Sequence, residues 1–163
     1  MLFLPKKFNY NLNCQPIIIL NKIQERIKPP QLKPKYAEEY DFQGYVTDDT
    51  FYIELNPPWN PLVKKGFVCP YLSGEFKSNE NIIDLTVSVK FRNSDYLILL
   101  LFALIFATIG TIRFFDTNVI QFLIMPIVEF CFVYIFFVFM ARINIRDIRE
   151  RLESILIEYK VNK

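Results

Sequence analysis

The chain has 163 residues, a formal net charge of +2, and 52% hydrophobic residues. It has no histidine and only four glycines, which excludes Ser-His and Cys-His catalytic pairs, His-ligated zinc and glycine-rich phosphate loops. The three cysteines are far apart and form no CxxC pair, so no metal site or disulfide framework is indicated. We therefore expect no metal, no cofactor and no enzymatic activity.

The first 95 residues have the composition of a soluble domain, with 12 basic and 11 acidic residues. That near balance argues against a nucleic-acid partner. Alternating apolar residues predict strands, and Pro16 followed by apolar positions at helical spacing predicts one helix. In chain order the predicted elements are a strand at 8–12, a helix at 17–27, and strands at 42–46, 51–55, 67–76 and 83–91. This is an α+β domain of the order β-α-β-β-β-β.

Two apolar stretches follow this domain. Residues 96–112 carry no charge over 17 positions, and residues 119–141 carry a single charge, Glu129, over 23 positions. A spanning helix needs about 20 apolar residues. The alternative, two buried helices of a soluble bundle, normally shows a polar stripe that neither stretch has. We predict a transmembrane hairpin with a six-residue connection.

Basic residues determine the expected orientation of this hairpin. Lys and Arg number 12 before it and six after it, whereas the connection holds only Arg113. The positive-inside rule then places both termini in the cytoplasm. Arg142, Arg146 and Arg149 directly follow the second stretch, and we expect them to contact lipid headgroups.

The tail, residues 142–163, has apolar positions at helical spacing, among them Ile148, Leu152 and Ile155. Charged residues occupy the other face, which predicts an amphipathic helix. This helix could lie on the membrane, pack on the domain or pair with a second copy.

Four spaced motifs precede the hairpin, namely Phe42-x-Gly44, Phe51-x-Ile53, Pro70-x-Leu72-x-Gly74-x-Phe76 and Leu85-x-Val87-x-Val89. Together with the hairpin they resemble a family of small bacterial membrane proteins without an assigned activity. The resemblance covers roughly residues 42–141 and departs from the family pattern at 56–66. It implies a β-rich cytoplasmic domain, two spans and residence in the bacterial inner membrane.

Glu129 is the residue that the second stretch singles out. It lies about 15 Å into the span, at a depth that we expect to match Phe102 and Ala103. A carboxyl group there is costly and indicates function by default. It could bond across an oligomer interface, line a polar path, or be protonated and bond the backbone carbonyl that Pro126 frees.

Trp59 stands among prolines, with Tyr52 and Phe67 nearby in sequence. These aromatic residues could form a recognition loop, and ordinary anchoring of the loop is the alternative.

The sequence favours a non-enzymatic integral membrane protein whose hairpin anchors a cytoplasmic domain that binds a protein or small-molecule ligand. The alternative is a membrane-perturbing effector, of a defence or toxin-like kind, whose spans assemble when the domain senses a signal. The expected partners are the lipid bilayer and a second copy of the chain.

Overall fold

The structure, a computed structural model, describes residues 6–29, 40–55, 70–79, 82–117 and 119–160. It has the predicted α+β class, with five strands and three helices. In chain order the elements are β1 (Lys7–Leu12), α1 (Pro16–Glu25), β2 (Phe42–Val46), β3 (Thr50–Leu55), β4 (Tyr71–Asn79), β5 (Ile82–Lys90), α2 (Asn93–Thr117) and α3 (Gln121–Leu156), followed by a 3-10 turn at Ile157–Tyr159.

The strands form one antiparallel sheet in the order β1-β5-β4-β3-β2. Alternation in each strand sends apolar side chains to one face, since successive residues of a strand point to opposite sides. On β5 these are Ile83, Leu85, Val87 and Val89, all buried. Their face carries the core, and α1 and the C-terminal half of α3 contribute the other buried residues.

Gly74 on β4 allows a close approach within this core. It lies opposite Phe51 of β3, and a Cβ atom at Gly74 would come within 2.2 Å of the Phe51 ring. The ladder runs through Gly74 without a bulge. Of the two roles that a strand glycine suggests, a bulge or a close approach, the structure has the second.

Helix α2 is longer than the apolar stretch that predicts it. It begins at Asn93, where the Arg92 backbone N–H donates to Asp95 Oδ2 at 3.1 Å. An acidic residue in the first turn is also favourable to the helix dipole. At its other end the helix continues through Arg113 and Asp116 to Thr117, so the predicted six-residue connection is wrong. The cause is that hydropathy marks the apolar part of a helix and not its ends.

Helix α3 runs without a break from Gln121 to Leu156. At 1.5 Å per residue it is about 54 Å long, of which residues 121–141 provide about 31 Å. Beyond residue 141 the helix enters the domain core. Ile148, Leu152 and Ile155 are 1%, 0% and 7% exposed and belong to the same buried cluster as the sheet residues.

Helix α2 and the first part of α3, residues 121–141, pack against each other as an antiparallel pair, called the hairpin below. Gly110 faces Pro126, where an added Cβ would lie 2.1 Å from the proline ring. Leu99 packs with Phe137 and Ala141. Both helices are long and apolar enough to cross a membrane, and only 11% and 17% of their most apolar windows are buried.

Candidate functional site at the base of the hairpin

A polar network fixes α3 against the first strand. Tyr10 of β1 donates a hydrogen bond to Glu153 Oε1 at 2.9 Å, and Arg149 Nε donates to the same oxygen at 2.9 Å. The Arg149 guanidinium also lies 4.5 Å from the centre of the Phe8 ring. Two residues after Arg149, Arg151 donates a hydrogen bond to Asp41, which also accepts one from Arg26, the residue that follows α1. The part of α3 after residue 141, called its lower half below, is therefore held by both the sheet and the end of α1.

Burial and the hydrogen bonds among Tyr10, Glu153 and Arg149 shift the pKa of all three side chains. Burial of the phenol and its hydrogen bond to Glu153 raise the pKa of Tyr10 to about 12. Burial acts against ionisation of Glu153, but the bonds from Arg149 and Tyr10 outweigh it and lower the pKa of this carboxyl group. The hydrogen bond to Glu153 raises the pKa of Arg149. At neutral pH Arg149 and Glu153 are thus an ion pair beneath a neutral phenol.

Directly above this network lies a cavity of about 360 Å³, called the basal pocket below. It sits where the start of β1, the end of β5 and α3 meet, at the end of the hairpin that adjoins the domain. Six of its ten lining residues are apolar and four are cationic. The apolar residues are Phe8, Val89, Phe91, Val138, Ala141 and Ile145, and the cationic residues are Lys6, Arg142, Arg146 and Arg149.

The four cationic residues differ in how far they are already neutralised. Arg149 is paired with Glu153, as described above. Arg146 Nε is 3.8 Å from Asp147 and 3.7 Å from Glu150, distances that mark loose, exposed pairs. Lys6 and Arg142 form no ion pair with any residue in the described part of the chain. The pocket therefore presents an uncompensated positive charge beside an apolar wall.

The structure brings together the three arginines that the sequence marks as headgroup contacts. Arg142, Arg146 and Arg149 are four and three residues apart, which places them on one helix face. Sequence reasoning missed Lys6 and Phe91. The available signal was that Lys6 precedes the predicted first strand and Phe91 ends the predicted last one. Only the antiparallel pairing of β1 with β5 shows that the two residues lie at the same end of the sheet.

The predicted recognition loop is only partly observable. Trp59 and Phe67 lie outside the described residues. Tyr52 belongs to β3 and not to a loop, and its ring lies 5.4 Å from that of Tyr45 and 4.3 Å from that of Tyr71, between centroids. These three tyrosines stand on the sheet face that turns away from the helices.

An ion pair borders these tyrosines. Arg92, just before α2, bonds the carboxylate of Glu54, which is 7% exposed. Burial raises the pKa of Tyr52, with Arg92 opposing this effect and Glu54 adding to it. The pair ties β3 to the short segment that leads into the hairpin.

Glu129 lies on an exposed part of α3 and forms no hydrogen bond or ion pair with another described residue. In particular, it does not bond the carbonyl group of Phe122 near Pro126. The Gly110–Pro126 contact fixes the pairing of the two helices and puts Glu129 about level with Ala107. The expected match with Phe102 and Ala103 is wrong by about one turn, because α2 extends further than its apolar stretch.

The described residues contain no group of three Cys, Asp or Glu side chains that could hold a metal ion. No family model, curated protein or solved structure matches the chain. The family resemblance thus stays a prediction that rests on the motifs from Phe42 to Val89.

Proposed function

We propose that this chain is an integral membrane protein that holds a ligand-binding or partner-binding α+β domain against the cytoplasmic face of the membrane. The observation that carries the proposal is the continuity of α3, which leaves the apolar hairpin and enters the domain core without a break. Only Phe91 and Arg92 separate β5 from α2 on the other side.

The surface of the hairpin supports a lipid environment. Large apolar side chains such as Leu104, Phe132 and Ile135 are 56%, 74% and 65% exposed. Soluble monomers rarely expose apolar patches of more than a few hundred Å². Residues 121–141 of α3 extend over about 31 Å, which matches a hydrocarbon core of about 30 Å, and Arg142 and Lys6 stand at one end of this segment. The excess of basic residues on that side supports the cytoplasmic placement of the domain and of both termini.

Coupling between the domain and the hairpin follows from these two short connections. A change in the domain that moves the lower half of α3 must tilt or rotate its upper half, because an unbroken helix transmits rotation. The domain has little freedom to swing away from the membrane surface. Binding at the domain can in this way change the arrangement of the spans.

Substitution of exposed hairpin residues by arginine tests the membrane placement. Leu104→Arg with Phe132→Arg puts two charges at the same level of the hairpin. Each costs about 2.5–3.5 kcal/mol at the centre of a spanning helix. We expect the variant to lose most of its resistance to alkaline carbonate extraction. Ile157→Arg is the matched control, since Ile157 is 69% exposed but lies beyond the domain core. If the double variant stays in the membrane pellet as the wild type does, or the wild type is extracted, the proposal fails.

A second candidate function is favoured by Glu129. A carboxyl group on the exposed side of a span at mid-depth faces lipid in a single copy, which is unfavourable. Assembly of several copies would shield it and could line a polar path, as in an effector that perturbs the membrane. Expression of the wild type should then depolarise cells, and Glu129→Leu should abolish the effect. Tolerated expression with an unchanged membrane potential favours the anchored binder.

A further inference from the structure

We propose that the basal pocket binds one anionic phospholipid, with its phosphate between Lys6 and Arg142 and the start of an acyl chain against Val138 and Phe91. This inference rests on the membrane placement proposed above and names the ligand class of the site. It differs from diffuse attraction of anionic lipids, because it requires one lipid in one pocket.

The depth of each arginine selects the one that contacts the phosphate. The headgroup layer is about 5–8 Å thick on each side of the hydrocarbon core. Counted from the last apolar residue of the span, Ala141, the α-carbons of Arg142, Arg146 and Arg149 lie about 1.5, 7.5 and 12 Å along the axis. Arg142 is inside that layer, Arg146 is at its outer limit and Arg149 is beyond it.

The charge state of these residues leads to the same selection. Arg149 is occupied by Glu153 and by the Phe8 ring, so it closes the bottom of the pocket. Arg146 is partly compensated by Asp147 and Glu150. Arg142 and Lys6 lack an ionic partner among the described residues and are exposed.

Lys6 is brought to the pocket by the sheet. Its carbonyl oxygen accepts a hydrogen bond from the Val89 N–H at 2.8 Å, which fixes the start of β1 beside the end of β5. The lysine and the arginine thus come from different elements and converge on one cavity. Two cations that converge from different sides suit the phosphate of a lipid, which accepts hydrogen bonds in several directions.

The apolar part of the wall distinguishes a lipid from a free phosphate ion. Val138 lies one turn inside the span from Arg142, and Phe91 packs edge-on against Tyr96 at the start of α2, with ring centroids 6.3 Å apart. An inorganic phosphate would leave these surfaces uncovered. An acyl chain that continues from the headgroup into the bilayer passes along them.

Native mass spectrometry of the full chain, purified in a mild detergent, tests the proposal. The protein is titrated with phosphatidylglycerol and, separately, with phosphatidylcholine of the same chains. We expect one phosphatidylglycerol to be retained per chain and phosphatidylcholine to bind at least tenfold more weakly. Each removed charge near the headgroup should weaken binding about fivefold, so Lys6→Gln with Arg142→Gln should weaken it about 25-fold.

Lys22→Gln with Lys77→Gln is the matched control. It removes the same charge from exposed residues of α1 and β4 that lie outside the pocket, and binding should stay within about twofold of the wild type. Val138→Trp fills the apolar wall and should weaken lipid retention without removing a charge. Glycerol phosphate and inorganic phosphate serve as competitors, and neither should displace the lipid at millimolar concentration.

Three results would overturn the proposal. They are equal retention of the two lipids, an equal loss in the pocket and control double variants, and displacement by inorganic phosphate, which would assign the site to a soluble anion. The carbonate extraction described above separates these failures from a failure of the proposed function. If the protein resists carbonate extraction but binds the two lipids equally, the proposed lipid site is refuted and the proposed function stands.

Discussion

Replacement of Ile148 by alanine tests whether the lower half of α3 is a core helix of the domain. Ile148 is 1% exposed and lies among sheet and α1 residues. The substitution removes three carbon atoms, worth about 0.8 kcal/mol each in transfer from water, or about 2.4 kcal/mol. The cavity that remains adds to this loss, so we expect about 3 kcal/mol, within the usual range for such changes.

Ile157→Ala is the matched control, because it makes the same chemical change at a residue that is 69% exposed. Pulse proteolysis of the full chain in mild detergent and urea measures the stability of the domain. With an m-value of about 1.5 kcal/mol/M, typical of a small domain, the midpoint should fall by about 2 M for Ile148→Ala and barely change for Ile157→Ala. Equal shifts in the two variants would refute the packing of α3 in the core.

Three further outcomes are expected. Glu129→Leu should weaken the association between copies by about 1 kcal/mol, seen as less crosslinking in native membranes, while Glu129→Gln preserves it. Equal crosslinking of wild type and Glu129→Leu would argue against an oligomer contact. Gly110→Ala should lower the free energy of unfolding of the hairpin in SDS by about 1–3 kcal/mol, since the added Cβ would collide with Pro126. Ile109→Ala, at an exposed position, should leave it unchanged, and equal stability of the two variants would exclude the close contact between Gly110 and Pro126. Because the pKa of Tyr10 rises from 10.0 to about 12 on folding, its neutral phenol stabilises the fold below pH 10, and this contribution is lost between pH 10 and 12. The difference in ultraviolet absorbance between wild type and Tyr10→Phe should therefore titrate with a midpoint near pH 12, and a midpoint near pH 10 would contradict the hydrogen bond to Glu153.

Strands β1, β2, β3 and β5 could be located from the sequence to within one residue because their signals are local, whereas β4, predicted to end at residue 76, continues to Asn79. The alternation from Ile83 to Phe91 predicts β5 to within one residue at each end. Only four residues separate the strands predicted at 42–46 and 51–55, a spacing typical of a hairpin, and β2 and β3 do pair. The order of the sheet could not be predicted in the same way. Pairing of β1 with β5 joins segments more than seventy residues apart, and no local pattern encodes that choice.

The basal pocket, too, could be predicted from the sequence only where local spacing decides the arrangement. The helical spacing of Arg142, Arg146 and Arg149 places them on one face, and that much follows from the sequence. The convergence of Lys6 on Arg142 depends on the β1–β5 register and on the packing of α3. The rotation of α3 that exposes Glu129 is likewise set by a contact between two helices, Gly110 against Pro126.

Under the proposed function, α3 crosses the membrane and ends inside a domain on its cytoplasmic side. Cysteine labelling at its two ends tests this most directly, in chains whose Cys14, Cys69 and Cys131 are replaced by alanine. Val119, just before α3, and Ser154, near its end, are both exposed. In intact cells an impermeant maleimide should label the Val119→Cys chain and spare the Ser154→Cys chain until the membrane is opened. Labelling of the Ser154→Cys chain in intact cells, or protection of both chains, would show that α3 does not cross the membrane with its C-terminal end in the cytoplasm.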